Sequence, residues 1–170
     1  MSAFKPFDEH QLDQGDIFAN APLMKWVDDE PEEGSPTKRV VVTSHGCVCE
    51  DYDRLIAAGL TSKARRLVVQ VAPLRPAKER QDKLDLIREG RMPEFVYIEG
   101  DGKRLDHQVA DLGREQPIPA WILVEKCQRI ARLADWQWTR LCIQSSISHF
   151  RIEAEDLFNP KILKGASGGA

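Results

Sequence analysis

The chain has 170 residues, 42% of them hydrophobic and 30% charged, with a formal net charge of −3. That length suits one domain with a core that needs no disulfide staples, and the slight acidity excludes the overall basic excess that dominates nucleic-acid affinity, so such binding needs a local patch. No run approaches the roughly 20 apolar residues that cross a bilayer, and the amino end lacks an apolar core behind a basic start, so a cytoplasmic protein with no membrane partner is expected.

The first predicted element is a short strand at Asp16-Ile17-Phe18. Residues 22–37 collect Pro, Asp, Glu, Gly and Ser and read as a loop that includes an acidic run over 28–33. Residues 39–44 read as the second strand, because the branched Cβ atoms of Val40, Val41 and Val42 resist helix and suit a pleated, buried surface. Residues 51–66 read as a helix broken at Gly59 and capped anew at Thr61 or Ser62. Residues 67–72 are an apolar strand for the sheet centre, ended by Pro73 and Pro76. Residues 77–89 predict a surface helix stopped by Gly90.

Alternation over 94–99, the Gly100-Asp101-Gly102 turn and the return over 105–112 predict a hairpin. Pro117-Ile118-Pro119 re-aims the chain, residues 121–124 fit a short strand or one helical turn, and 127–133 read as a strand. Asp135 caps a helix through Phe150, with Trp138, Leu141, Cys142 and Ser145 on one side and Trp136, Ile143, Ile147 and Phe150 on another. So wide an apolar arc predicts a helix packed on two surfaces, with Gln137, Arg140, Gln144, Ser148 and Arg151 as its polar positions. The small, Gly-rich residues 165–170 read as a disordered tail. The expectation is a single α+β domain, mainly β, over residues 1–164, with a surface helix and a C-terminal amphipathic helix.

Candidate chemistry gathers after the second strand, in His45-Gly46-Cys47-Val48-Cys49-Glu50-Asp51. On a continuing strand Cys47 and Cys49 would face one way and could share a soft metal, with His45, His107, Cys127 or His149 as further ligands, or they could simply be small buried hydrophobes. Either thiol could be a nucleophile if His45, oriented by Asp51 or Asp53, lowered its pKa. Glu50, Asp51 and Asp53 could bind a hard cation or cap a helix. Gly-x-Ser-x-Gly around Ser44 and a phosphate-binding P-loop are both absent, and no cofactor or metal is expected. Between residues 63 and 91 positive charges outnumber negative ones, and Arg65, Arg66, Arg75, Lys78 and Arg80 could form a nucleic-acid patch or a solvated face.

Gln14-Gly15-Asp16-Ile17-Phe18, then Lys38-Arg39-Val40-Val41-Val42-Thr43-Ser44, then residues 67–74 resemble in order the first three strands of PemK/MazF-like toxins. The resemblance spans about residues 12–76 and implies an SH3-like β-barrel, a homodimer, cleavage of single-stranded RNA without metal, and an antitoxin protein as partner. It also implies an arginine at the start of the second strand, matched by Lys38 or Arg39, and a threonine after the third, where Arg75 stands instead. The proline of the family's second-strand motif is missing too. Chemically, Arg39 and Arg75 as cations with His45 as proton carrier could assist cleavage by a 2′-hydroxyl. A barrel that binds a protein or nucleic-acid partner without catalysis is the leading expectation, with an endoribonuclease toxin or a Cys/His metal protein as alternatives.

Overall fold

A computed structural model describes residues 2–7, 11–27, 30–33 and 38–157. In chain order it contains β1 (Asp16–Ala21), β2 (Met24–Val27), β3 (Glu30–Glu33), β4 (Lys38–Val42), α1 (Gly46–Ala57), α2 (Thr61–Ala64) and β5 (Val68–Pro76). A 3-10 helix (Ala77–Lys83), α3 (Leu84–Arg88), β6 (Phe95–Ile98), β7 (Gln108–Asp111) and a 3-10 turn (Leu112–Arg114) follow. The chain then forms β8 (Gln116–Pro119), α4 (Ala120–Lys126), β9 (Gln128–Arg132) and α5 (Asp135–Leu157).

The fold is mixed α+β around a seven-stranded antiparallel sheet of order β6-β7-β5-β4-β1-β9, with β8 also paired to β5. β5 is central because its nine residues serve two partners on one edge: β8 takes Val68 to Val71 and β7 takes Leu74 to Pro76. The sheet is open, since no ladder joins β6 to β9 among the described residues. β2 and β3 form a separate hairpin inside the segment expected to be loop.

Strand alternation explains two cores. Ile17, Val41, Ala72 and Leu74 lie in a cluster with Phe4 and with Leu141 of α5, whereas Phe18, Val40, Val42, Val69 and Val71 lie in another with Cys49, Tyr52 and Leu123. The valine run is therefore uniformly apolar because helices cover both faces of its strand. A third cluster joins Ala77, Leu84 and Ile87 to Tyr97 and Val109.

The Gly15-Asp16 pair at the start of β1 has a structural role. Gly15 has φ +85°, its N–H donates to the Val42 carbonyl (2.9 Å), and its own carbonyl accepts from Leu133 (3.1 Å). Asp16 is fully buried and takes the Arg132 guanidinium on both oxygens, at 2.5 and 2.9 Å.

Several expectations need correction. The helix after β4 starts at Gly46, so Cys47 and Cys49 sit on a helix rather than a strand. Residues 77–88 do not make one helix: only Ala77 is buried in the 3-10 segment, and the backbone leaves helical geometry at Arg80 (φ −124°, ψ 26°). Without an apolar stripe to pack, the six charged and polar residues after Ala77 have little to hold them in a regular helix. For residues 121–124 the helical alternative holds, within α4. Pro117 and Pro119 lie in β8, a strand with a free edge where a missing N–H is tolerated.

The orientation of α5 is the largest correction. Gln137, Leu141, Gln144, Ser145 and Ser148 are buried, while Trp136, Trp138, Ile143 and Ile147 are exposed. Gln137 turns inward because it satisfies backbone groups: it donates to the carbonyls of Ala3 (2.6 Å) and Glu99 (3.2 Å) and accepts from the Glu99 N–H (2.7 Å). Residues 165–170 lie outside the described residues.

Candidate functional site

The register of β4 on β5, with Arg39 opposite Leu74, brings the first residue after Lys38 beside the end of β5. β7 meets the same end, pairing Gln108 with Pro76, and the Ala77 N–H donates to the His107 carbonyl (2.9 Å). At Pro76 the chain leaves the sheet, and the 3-10 helix and α3 fold over this corner. The result is a cavity of about 480 Å³ lined by Arg39, Lys78, Gln81, Arg88, Asp106, His107 and Gln108, with Pro76, Ala77, Leu84 and Gly102 as its apolar and small parts. That volume lies within the roughly 300–1,000 Å³ typical of ligand sites.

Neither Arg39 nor Lys78 has a carboxylate partner among the described residues, and Arg88 holds Asp85 only at 3.9 Å. Arg88 lies 4.7 Å from the Tyr97 ring centroid and donates to the Tyr97 hydroxyl (3.2 Å). Tyr97 stacks in turn on His107, with centroids 5.7 Å apart. The His107 Nδ1 accepts from the Gly100 N–H (3.1 Å), which assigns the neutral ring's proton to Nε2. The turn before it is tightly built: Asp101 accepts from the N–H groups of Lys103, Arg104 and Leu105, which lowers its pKa, and a Cβ on Gly100 would come within 2.2 Å of the Leu105 carbonyl oxygen. The Gly100-Asp101-Gly102 turn thus orients an imidazole.

The sequence-predicted residues divide into two ends of the sheet. Arg39 and Lys78 line the cavity. Arg75 is half-buried on β5 opposite Val109, and its positive charge acts on Asp111, whose carboxyl is raised by burial and lowered by Arg114, Arg75 and Arg80. Arg80 lies 4.9 Å from the Phe95 ring centroid. Lys38 opens β4 next to Arg39. His45 is at the other end: extended chain from Arg39 to His45 spans about 20 Å, and the His45 ring accepts from the Cys47 N–H at 3.4 Å as a helix N-cap. The Arg39, His45, Arg75 set therefore does not converge on one rim.

Arg65 is held by Glu125 (3.2 Å) and lies 5.0 Å from the Trp121 ring centroid, and Arg66 is exposed beside it, away from the cavity lining. Asp51 pairs with Arg54 (2.6 Å) and Asp53 accepts from the Gln11 N–H (3.3 Å), both in mid-helix, so neither caps α1. On the helix Cys47 and Cys49 point about 200° apart, one exposed and one buried. Burial, with Asp13 and Asp16 nearby, pushes the Cys49 thiol up to about 12, which keeps it protonated and non-nucleophilic at neutral pH. No group of three or more His, Cys, Asp or Glu suited to a metal occurs among the described residues.

His107 and Gln108 join Arg88 of the basic 63–91 stretch in the site; the sequence marks His107 only as a possible metal ligand and Gln108 not at all. The one local signal was the turn at 100–102, which fixes where the following residues return. No protein-family model matches the chain, and no curated protein matches it.

Proposed function

We propose that this chain is a non-catalytic, PemK/MazF-like binding domain, its bent open sheet a variant of that family's SH3-like barrel, and that its partner is single-stranded nucleic acid held at the Arg39 end. The observation that carries this reading is the cavity in which Arg39 and Lys78 face solvent without a carboxylate partner among the described residues, beside an exposed Arg88 held by Asp85 only at 3.9 Å. Cations left unneutralised in a concave site attract phosphate and release counterions on binding it. Arg75, Arg80 and the Arg88–Tyr97–His107 stack extend the same end with charge and planar surfaces that suit bases and phosphates.

The test is fluorescence anisotropy with a labelled single-stranded oligoribonucleotide over a salt series. Lys78→Ala is expected to weaken binding and to reduce the slope of log K against log salt by about 0.7, with Arg66→Ala as the unaffected control. Absence of salt-dependent binding, or equal effects of both variants, would contradict the proposal. A second reading, a metal-independent endoribonuclease restrained by an antitoxin protein, is favoured by one observation: an imidazole, His107, shares the cavity with Arg39. Running the titrated RNA on a denaturing gel reads it directly, since that enzyme would shorten the strand and a binding domain would leave it intact.

A further inference from the structure

We infer that the cavity takes a phosphate monoester of a nucleotide, the phosphorylated end of a strand or a free mononucleotide, in preference to an internal phosphodiester. The strand as source rests on the proposed function; the phosphate assignment itself rests on the cavity.

Charge supplies the first argument. Among the described residues that line the cavity, Arg39, Lys78 and Arg88 oppose one carboxylate, Asp106, and Asp85 approaches Arg88 from outside it at 3.9 Å, so positive charge is in excess. An internal phosphodiester carries one negative charge, whereas a monoester carries about 1.5 to 2 near neutral pH and offers three terminal oxygens. Guanidinium groups and an ammonium then meet a group with enough acceptors for charge-assisted hydrogen bonds to each. The Nε2–H of neutral His107, fixed by the Gly100 contact at Nδ1, adds a donor.

Gln108 supplies the second argument and extends the ligand beyond phosphate. It lines the cavity and is 1% exposed, and its amide nitrogen donates to the Asp106 carbonyl (3.2 Å) while its side-chain oxygen has no partner among the described residues. A buried acceptor without a donor is costly, and a ligand N–H or O–H would satisfy it. Inorganic phosphate can also offer a P–OH donor, but it fills only a small part of a cavity of about 480 Å³ and leaves Pro76, Ala77 and Leu84 uncovered, whereas a nucleotide brings a ribose hydroxyl or base amino group together with a base to cover them. The cavity therefore fits a nucleotide better than inorganic phosphate.

The experiment compares oligoribonucleotides of one sequence carrying a 5′-phosphate, a 3′-phosphate or hydroxyls at both ends, by anisotropy at one salt concentration, with adenosine 5′-monophosphate and inorganic phosphate as competitors. The expected result is that one phosphorylated strand binds about tenfold or more tightly than the hydroxyl strand. Adenosine monophosphate should displace it at lower concentration than inorganic phosphate does. Lys78→Ala should erase the preference and Lys78→Arg should retain it; both substitutions are at an exposed side chain. Binding of adenosine monophosphate alone, read by calorimetry, with no strand binding would support the phosphate assignment with free nucleotide as the source, and would overturn the proposed function. Equal binding of all three strands, with no displacement by the mononucleotide, would overturn the inference and leave strand binding standing.

Discussion

Asp16 and Arg132 are both fully buried, and Arg129 (3.3 Å) and Asp13 (3.7 Å to Arg132) complete a four-residue network between β1 and β9. Burial raises the Asp16 carboxyl above its ordinary 3.8, while Arg132 and Arg129 pull it down. A carboxyl raised on folding adds stability below 3.8 that fades as pH climbs through its folded value. Removing the guanidinium strands the charge, so Arg132→Ala is expected to cost about 3–5 kcal/mol near neutral pH. Because protonation relieves the stranded charge, that deficit should narrow as the buffer is taken down toward about pH 4. Urea unfolding across a pH series measures it, and a deficit that does not vary with pH would contradict the assignment. The sequence showed Gly15-Asp16 as the start of a strand but not the ion pair, because the partner lies 116 residues away. The same limit explains the choice of imidazole: His45 is near Arg39 along the chain, and His107 is near it in space.

Among the elements, those decided by neighbours in sequence were readable and those decided by packing were not. The β6–β7 hairpin follows from local alternation and a turn, and β4 and β5 follow from their branched apolar runs, although β5 continues through Pro73 to Pro76 instead of ending there. The helix α5 misled because, Leu141 apart, its large apolar residues Trp136, Trp138, Ile143 and Ile147 are exposed. Its buried glutamine replaces water for backbone groups at Ala3 and Glu99, a demand set by distant segments. The helix orientation makes a paired prediction. Leu141 is 0% exposed and Ile143 55%, so Leu141→Ala should cost about 2–5 kcal/mol and Ile143→Gln should stay within about 0.5 kcal/mol of the parent. Chemical denaturation of the two variants measures the contrast, and reversed magnitudes would mean that the helix faces the other way.

For the molecule as a whole, the formal charge of −3 conceals a division. Acidic Asp51 and Asp53 surround the His45 end of the sheet, while Arg39, Arg75, Lys78, Arg80 and Arg88 gather where β4, β5 and β7 meet the 3-10 helix. None of the described helices is long and apolar enough to cross a membrane. The central claim is that the basic corner, not the cysteine-bearing end, meets the partner. Titration of the nitrogen-15-labelled protein with a short single-stranded oligoribonucleotide, followed by amide chemical shifts, tests it directly. Shifts should cluster at Arg39, Lys78, Arg88, His107 and Gln108 while Cys47 to Asp53 stay still. Shifts confined to His45 and α1, with the cavity unmoved, would contradict the account.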